Sequence, residues 1–217
     1  MSKFGLQLWR THVHKALACF CVPFAFLLHA VGCAVPMAWT QDNRCLDSIY
    51  PAGTSRTSAA FQFDRTFEGD AGGGYSCGLR MRPSELRRAL DTFRNGVLYR
   101  DPSSINAVVQ FPINVHVSDG LEPVAKKKTI RIKSASEWFA FQEKNLTDAH
   151  LALVACSYLG NVTLEGGRSP GAMIGLGAFW FQSFEGSWRV KMTAVNIDPL
   201  SPDKLAKACT PPGAESR

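Results

Sequence analysis

The chain has 217 residues, of which 46% are hydrophobic and 19% are charged, and its formal net charge is +6. That length is enough for one ordinary domain with additional segments. The apolar content is normal for a globular protein, which excludes a disordered or fibrous chain. Only one long apolar run is present, at residues 16–32, which excludes a polytopic membrane protein.

The first 33 residues have the layout of a secretory signal peptide. Three basic residues precede the apolar run, no acidic residue occurs before Asp42, and small residues follow at 32–34. A membrane anchor is the alternative, although the run is shorter than the roughly 20 residues of a stable span. We therefore predict export to the periplasm or cell envelope, with the mature chain beginning between Cys33 and about Gln41.

The end of the signal leaves two processing routes open. Residues 30–33 read Ala-Val-Gly-Cys, which resembles a bacterial lipobox and makes Cys33 a candidate for lipidation. Ala30 stands where leucine is usual, and ordinary cleavage after Ala34 would also leave small residues at the required positions. In either case the expected contact with a membrane is through the signal or this lipid.

Four cysteines remain after the signal, an even number in a chain predicted to enter an oxidising compartment. Cys45 and Cys77 flank a loop-rich stretch, and Cys209 lies in a Pro-rich tail that a bond to Cys156 would tether. The sequence leaves the pairing open, and we favour Cys45–Cys77 with Cys156–Cys209. The Cys and His spacings match no zinc motif, so neither a metal nor another cofactor is predicted.

The mature chain is less basic than the full sequence. Removing residues 1–33 leaves 21 basic and 18 acidic residues, and a net charge of +3. Basic clusters occur near 80–88 and 126–133, but aromatic residues are not interleaved with them. Such clusters are typical of a solvated face, so we predict no nucleic-acid partner.

The mature chain divides into three predicted parts. Residues 34–81 are rich in Gly, Ser and Thr and predict an irregular leader. Residues 82–198 carry periodic patterns and form the predicted domain. Residues 199–217 contain four prolines and predict a tail.

Helical periodicity opens the predicted domain. After Ser84, apolar residues recur at spacings of four, three and four, which gives the helix one apolar face. Asp101 before Pro102 predicts a second helix, which Phe111 and Pro112 are expected to end. The remaining predicted elements are strands at 113–117 and 129–133, helices capped by Ser134 and Thr147, and strands at 162–164, 172–184 and 188–197.

The last predicted strand has the clearest alternation. Its apolar set is Trp188, Val190, Met192 and Ala194, and basic or polar residues stand between them. One buried and one solvated face is typical of an antiparallel sheet backed by helices. Helices collected on one side of such a sheet give an α+β fold.

This element order resembles that of the NTF2-like superfamily, in particular its exported bacterial members of unassigned function. The matching stretches are Phe111-Pro112 with INVHV, GAFWF at 177–181 and VKMTAVN at 190–196. The resemblance covers residues 82–198 and implies a cone in which helices pack on a curved antiparallel sheet. Where those relatives often carry acidic residues, this chain has Leu176 and Ala178.

The resemblance also implies a pocket between the sheet and the helices, in which enzymes of the superfamily use an Asp or His base. His116 falls on the polar face of its strand, so we expect it to be solvent-facing or hydrogen-bonded. His150 is expected at the surface. The acidic residues form no pair at a diagnostic spacing, and no catalytic residue is predicted.

Aromatic residues are the candidate ligand-binding residues. Trp138, Phe139, Trp180 and Trp188 are predicted either to line a hydrophobic pocket or to fill the core under the sheet. We therefore predict a non-catalytic exported envelope protein that binds a small apolar ligand or a protein partner, and a homodimer is left open. The alternatives are an immunity-type inhibitor of an exported hydrolase and an isomerase- or lyase-like enzyme that uses the pocket.

Overall fold

Helices pack against a six-stranded sheet in the computed structural model of the protein, which describes residues 44–70, 74–118, 128–166, 170–175, 177–184 and 187–210. The predicted signal peptide and Cys33 lie outside the described residues, as does the side chain of Trp188. The helices are α1 (Arg44–Ile49), α2 (Ala59–Asp70), α3 (Pro83–Leu98), α4 (Pro102–Val108), α5 (Ala135–Asn145), α6 (Asp148–Ala155) and α7 (Pro202–Cys209). The strands are β1 (Val109–Val117), β2 (Lys128–Ile132), β3 (Thr163–Glu165), β4 (Gly171–Ile174), β5 (Phe179–Phe184) and β6 (Ser187–Ile197).

The segment before the predicted domain is helical, so the prediction of an irregular leader at 34–81 was wrong for its described part. Helices α1 and α2 are followed by one π-helical turn at Gly74–Gly78. The start of α2 is fixed by Ser58, whose hydroxyl accepts a hydrogen bond from the Phe61 amide at 3.3 Å. Buried acids on α2 interrupt its apolar pattern, so the periodicity of apolar residues did not predict this helix.

The protein contains two disulfides, and their pairing is the one that the sequence favoured. Cys45 is bonded to Cys77 across 32 residues, and Cys156 is bonded to Cys209 across 53 residues. The second bond ties α7 to the end of α6. The predicted tail at 199–217 therefore contains a helix, which begins where the Ser201 hydroxyl accepts from the Lys204 amide at 3.3 Å.

We expect the oxidised mature protein to contain no free thiol among these four cysteines. Closing loops of 32 and 53 residues stabilises a fold by roughly 3–4 kcal/mol each, because the unfolded chain loses conformational freedom. Thiol titration of the denatured, unreduced protein checks the first point, and urea unfolding with and without reductant checks the second. Two or more reactive thiols would contradict the assignment.

Helices α3 and α4 begin close to the positions that the sequence indicated. They also bury the apolar residues that the sequence indicated. Asp101 caps α4 by accepting from the amides of Ser103 and Ser104 at 3.0 and 3.1 Å. The strand β1 begins at Val109, directly after α4, so Phe111 and Pro112 lie inside the strand and do not end a helix. The predicted apolar face of α3 is buried and consists of Leu86, Leu90, Phe93 and Val97.

The sheet confirms the predicted α+β class, and it is mixed where a wholly antiparallel sheet was expected. Its strand order is β2-β1-β6-β5-β4-β3. The central pair β1–β6 is parallel, and the other pairs are antiparallel. Helices α5 and α6 carry the chain from β2 across to β3, and such a crossover lets the returning β6 lie parallel to β1.

A glycine turn divides the long strand predicted at 172–184 into β4 and β5. Gly175 and Gly177 have φ angles of 65° and 92°, which side chains with a Cβ rarely adopt. A Cβ on Gly175 would also overlap the side chain of Leu153 on α6. The turn therefore brings β5 back antiparallel to β4 and allows α6 to approach it closely.

An irregularity in β6 shifts its alternation near Ala194. Val190 and Met192 are buried as predicted, but the next buried residues are Val195 and Ile197, while Ala194 is only partly buried. The register with β5 shifts at the same place, between Trp180 and Phe181. The prediction that Ala194 shares the buried face was wrong, because a bulge reverses the side-chain phase beyond it.

Aromatic rings fill the space between the helices and the sheet. Phe93 on α3 lies at ring-centroid distances of 5.1 Å from Phe179, 5.8 Å from Phe181 and 6.0 Å from Trp138. All four side chains have no exposed surface. Within the described part of the chain, no helix combines the length and the apolar character that a membrane crossing requires.

Candidate functional site

The described side chains of the predicted aromatic site, Trp138, Phe139 and Trp180, do not share one face of the sheet. Trp138 is fully buried in the core, and Phe139 is half-buried with the Arg100 guanidinium 5.7 Å from its ring. Trp180 lies on the opposite face of β5 from the buried Phe179 and Phe181. Trp138 therefore fills the core, which was one of the two predicted alternatives, while Trp180 lies on the other side of the sheet.

The two histidines among the described residues differ in burial. His116 is partly exposed, and its Nδ1 lies 3.0 Å from the hydroxyl of Thr129, its cross-strand neighbour, as expected for a hydrogen-bonded side chain. His150 is only 3% exposed, so the prediction of a surface position was wrong. Its Nδ1 accepts from the Thr147 amide at 3.2 Å, and its Nε2 lies 3.1 Å from the Asp198 carbonyl oxygen, to which it donates.

Asp64 on α2 caps a different helix. Its side chain is fully buried, and it accepts from the Ser84 amide at 2.5 Å and the Ser84 hydroxyl at 2.8 Å. The Tyr50 hydroxyl donates to the same carboxylate. The residue before α3, Arg82, provides no side-chain cap. Asp64 therefore satisfies one of the N-terminal amides of α3 from outside the helix, where a negative charge also suits the helix dipole.

Glu68 binds the π-helical turn in a similar way. It is 2% exposed, and its two oxygens accept from the Ser76 amide at 3.0 and 3.1 Å. The Ser76 hydroxyl donates to it at 2.5 Å. Burial raises the pKa of Glu68, and the hydrogen bonds from Ser76 act in the opposite direction. Burial and the hydrogen bond to Asp64 likewise raise the pKa of Tyr50.

We expect the stability of the Glu68→Gln variant, relative to that of the wild type, to increase as the pH rises. Because the folded pKa is raised, the contribution of Glu68 to stability is complete below its ordinary pKa of 4.5 and is lost as the pH rises through the folded value. The difference in free energy of unfolding between variant and wild type should therefore grow in favour of the variant between acid and neutral pH. Urea unfolding across this range measures it.

The exposed Glu143, on α5, provides the control for this experiment. Its side chain is 72% exposed, so Glu143→Gln should show no comparable trend. A Glu68→Gln difference that stays constant or reverses would contradict a raised pKa.

Neither buried acid was singled out from the sequence. They stand four residues apart on α2, with Phe61, Phe63 and Phe67 nearby. Residues with this spacing lie on one helical face. Two acids on a face flanked by aromatic residues were the sequence signal that could have indicated their burial. Their hydrogen bonds go to serines 8 and 20 residues further along the chain, which local patterns do not predict.

A surface cleft gathers a second group of charged residues. It lies between α3, the end of α4 and β6, and has a volume of about 430 Å³. We name this site the basic cleft, because its lining carries three cations and one acid. Its lining residues are Glu85, Arg88, Ala89, Thr92, Ala107, Val108, Arg189, Val190 and Lys191.

Within the described ranges, no group of three or more His, Cys, Asp or Glu side chains is arranged to hold a metal ion. Comparisons with protein families, with curated proteins and with solved structures found no match to this chain.

Proposed function

We propose that this protein is an exported, non-catalytic binding domain that engages its ligand at the surface. One observation carries the proposal: the buried carboxylates and the buried imidazole of the described residues bind backbone groups of the fold. Asp64 holds the start of α3, Glu68 holds the π-helical turn, and His150 holds Thr147 and Asp198. A general acid or base needs a free group within reach of a substrate. Asp64 and Glu68 are enclosed, and His150, which lines a cleft of about 140 Å³, has both ring nitrogens engaged by Thr147 and Asp198.

Packing under the sheet favours a surface site over an interior one. Phe93, Trp138, Phe179 and Phe181 have no exposed surface and contact one another as a continuous group of rings. A small apolar ligand at that place would have to displace side chains that contribute to the core. The clefts at the surface carry charged and polar residues, so the proposed ligand has polar or charged groups.

We also propose that the domain is NTF2-like. Support comes from the order of α3, α4, the β1–β2 pair, α5, α6 and the remaining strands, and from helices that pack on one face of a single sheet. This proposal concerns architecture, because members of one fold carry out unrelated functions.

Export is supported by the two disulfides, which form in oxidising compartments. We propose the periplasm or cell envelope as the location, on the basis of the signal-like residues 1–33 and these bonds. Fractionation of the producing cells with intact-mass measurement should find a chain that begins between Cys33 and about Gln41 in the exported fraction. An intact chain from Met1 in the cytoplasm would contradict export.

Binding without chemistry is tested with a small-molecule extract of the cells that make the protein. The mature protein is incubated with the extract and separated by size, and compounds are identified by mass before and after. We expect compounds that co-elute with the folded protein, and not with the heat-unfolded protein, and that are recovered at unchanged mass. Conversion of a compound by the wild type but not by Glu68→Gln would contradict a non-catalytic role.

A further inference from the structure

The basic cleft lies where β6 extends beyond its neighbour β1. The first residue of β1, Val109, pairs with Met192, so the residues of β6 before Met192 have no strand partner on this side in the described register. Helix α3 and the end of α4 form the other walls of the cleft. Its volume of about 430 Å³ falls within the range of roughly 300–1,000 Å³ that is typical of small-molecule sites.

The charges of the basic cleft are not balanced by its single acid. Glu85 already accepts from Arg82 at 3.0 Å and from Arg88 on the same helix. None of the ion pairs found within the described residues involves Arg189 or Lys191. Two cations on β6 therefore face the cleft without an acidic partner from the described part of the chain.

Lys191 is the more enclosed of these two cations. Its ammonium donates to the Ala107 carbonyl oxygen at the end of α4. Burial lowers the pKa of Lys191, and the nearby positive charge of Arg189 lowers it further. A negative charge in the cleft would favour the charged form of Lys191 and offset its repulsion by Arg189.

Small side chains form the floor between these charges. Ala89, Val108 and Val190 are buried and present methyl groups, and Thr92 is partly exposed. The methyl groups of Ala89, Val108 and Val190 neither donate nor accept hydrogen bonds. The lining therefore suits a ligand with a charged head and a short aliphatic body.

We propose that the basic cleft binds a small organic anion, a carboxylate with a short aliphatic body, through Lys191 and Arg189. This inference rests on the proposed function as a binding domain and names its ligand class. The carboxylate accepts from the Lys191 ammonium and the Arg189 guanidinium, and the aliphatic body lies against Ala89, Val108 and Val190. Charge-assisted hydrogen bonds of this kind are stronger than those between neutral groups.

Hexanoate and 1-hexanol form a matched pair of probes. They have the same number of carbon atoms, and only hexanoate carries the negative charge at neutral pH. Titration calorimetry of the mature, oxidised protein should show hexanoate binding at least about tenfold more tightly than hexanol, because the charged head meets two cations. Equal affinity for the two probes would overturn the proposal.

Two variants test the assigned residues. Lys191→Met keeps the length of the stem and removes the charge, and Arg189→Gln changes an exposed residue whose replacement should leave the fold intact. Each should weaken hexanoate binding about tenfold without lowering the melting temperature by more than a few degrees. Lys204→Met is the control, since it removes the same charge from an exposed position on α7 outside the cleft.

The outcomes separate this inference from the proposed function. Hexanoate binding that is unchanged in both Lys191→Met and Arg189→Gln would overturn the cleft assignment. If compounds from the cell extract still co-elute with those variants, the binding function survives and its site lies elsewhere. Chemical conversion of the extract, by contrast, would contradict the binding function itself.

Discussion

Replacing Asp64 with alanine should destabilise the protein by about 3 kcal/mol, because two serine groups and one tyrosine hydroxyl lose their acceptor. The Ser84 amide belongs to the first turn of α3, and loss of a helix cap alone costs about 1 kcal/mol. The rest comes from hydroxyl groups that are left unsatisfied beneath α2. Urea unfolding of the oxidised mature protein measures the change.

An exposed acid on α1 provides the matched control. Asp47 pairs with Arg56 at 3.0 Å, and their side chains are 46% and 50% exposed. Asp47→Ala should change the free energy of unfolding by less than about 1 kcal/mol, since exposed ion pairs contribute little. Similar losses in Asp64→Ala and Asp47→Ala would show that Asp64 is not a structural cap.

Phe93→Ala should cost about 4 kcal/mol, the largest effect that we expect from a single apolar residue. The Phe93 ring is fully buried, and it contacts rings from α5 and β5 at centroid distances between 5.1 and 6.0 Å. Its removal leaves a cavity at the centre of the helix–sheet interface. The free energy of unfolding in urea, with retained disulfides, checks this value.

Two other aromatic residues provide comparisons for Phe93→Ala. Trp180 is only partly buried on the outer face of β5, so Trp180→Ala should cost about 1–2 kcal/mol. Phe184 is 43% exposed, and Phe184→Ala should cost less than about 1 kcal/mol. If Trp180→Ala were as costly as Phe93→Ala, the two sides of β5 would have to be assigned in the opposite way.

Sequence reasoning worked where the pattern is local. Helix α3 was predicted from apolar residues at helical spacing, α4 from its Asp101 cap, and α5 from Ser134, whose hydroxyl accepts from the Glu137 amide. The buried set of β1 and the first half of β6 followed from alternation. These features depend on hydrogen bonds within one helix or strand and on which of its faces is buried.

Tertiary contacts account for what the sequence did not predict. The His150 side chain is buried because Asp198, 48 residues away, supplies an acceptor for its Nε2. The acids of α2 are buried because donors arrive from the π-helical turn and from α3. The basic cleft combines residues of α3 and α4 with residues of β6, which lies far along the chain from both helices.

The position at which a ligand binds tests most directly whether binding takes place at the surface. Amide chemical shifts of the mature, oxidised protein, labelled with ¹⁵N, are recorded during a titration with hexanoate. We predict that the largest changes fall at Thr92, Ala107 and Lys191 around the basic cleft, while the amides beside the buried acids of α2 stay unchanged. Changes centred instead on Asp64, Glu68 and Ser76 would contradict the claim that binding takes place at the surface and that the buried polar groups serve the fold.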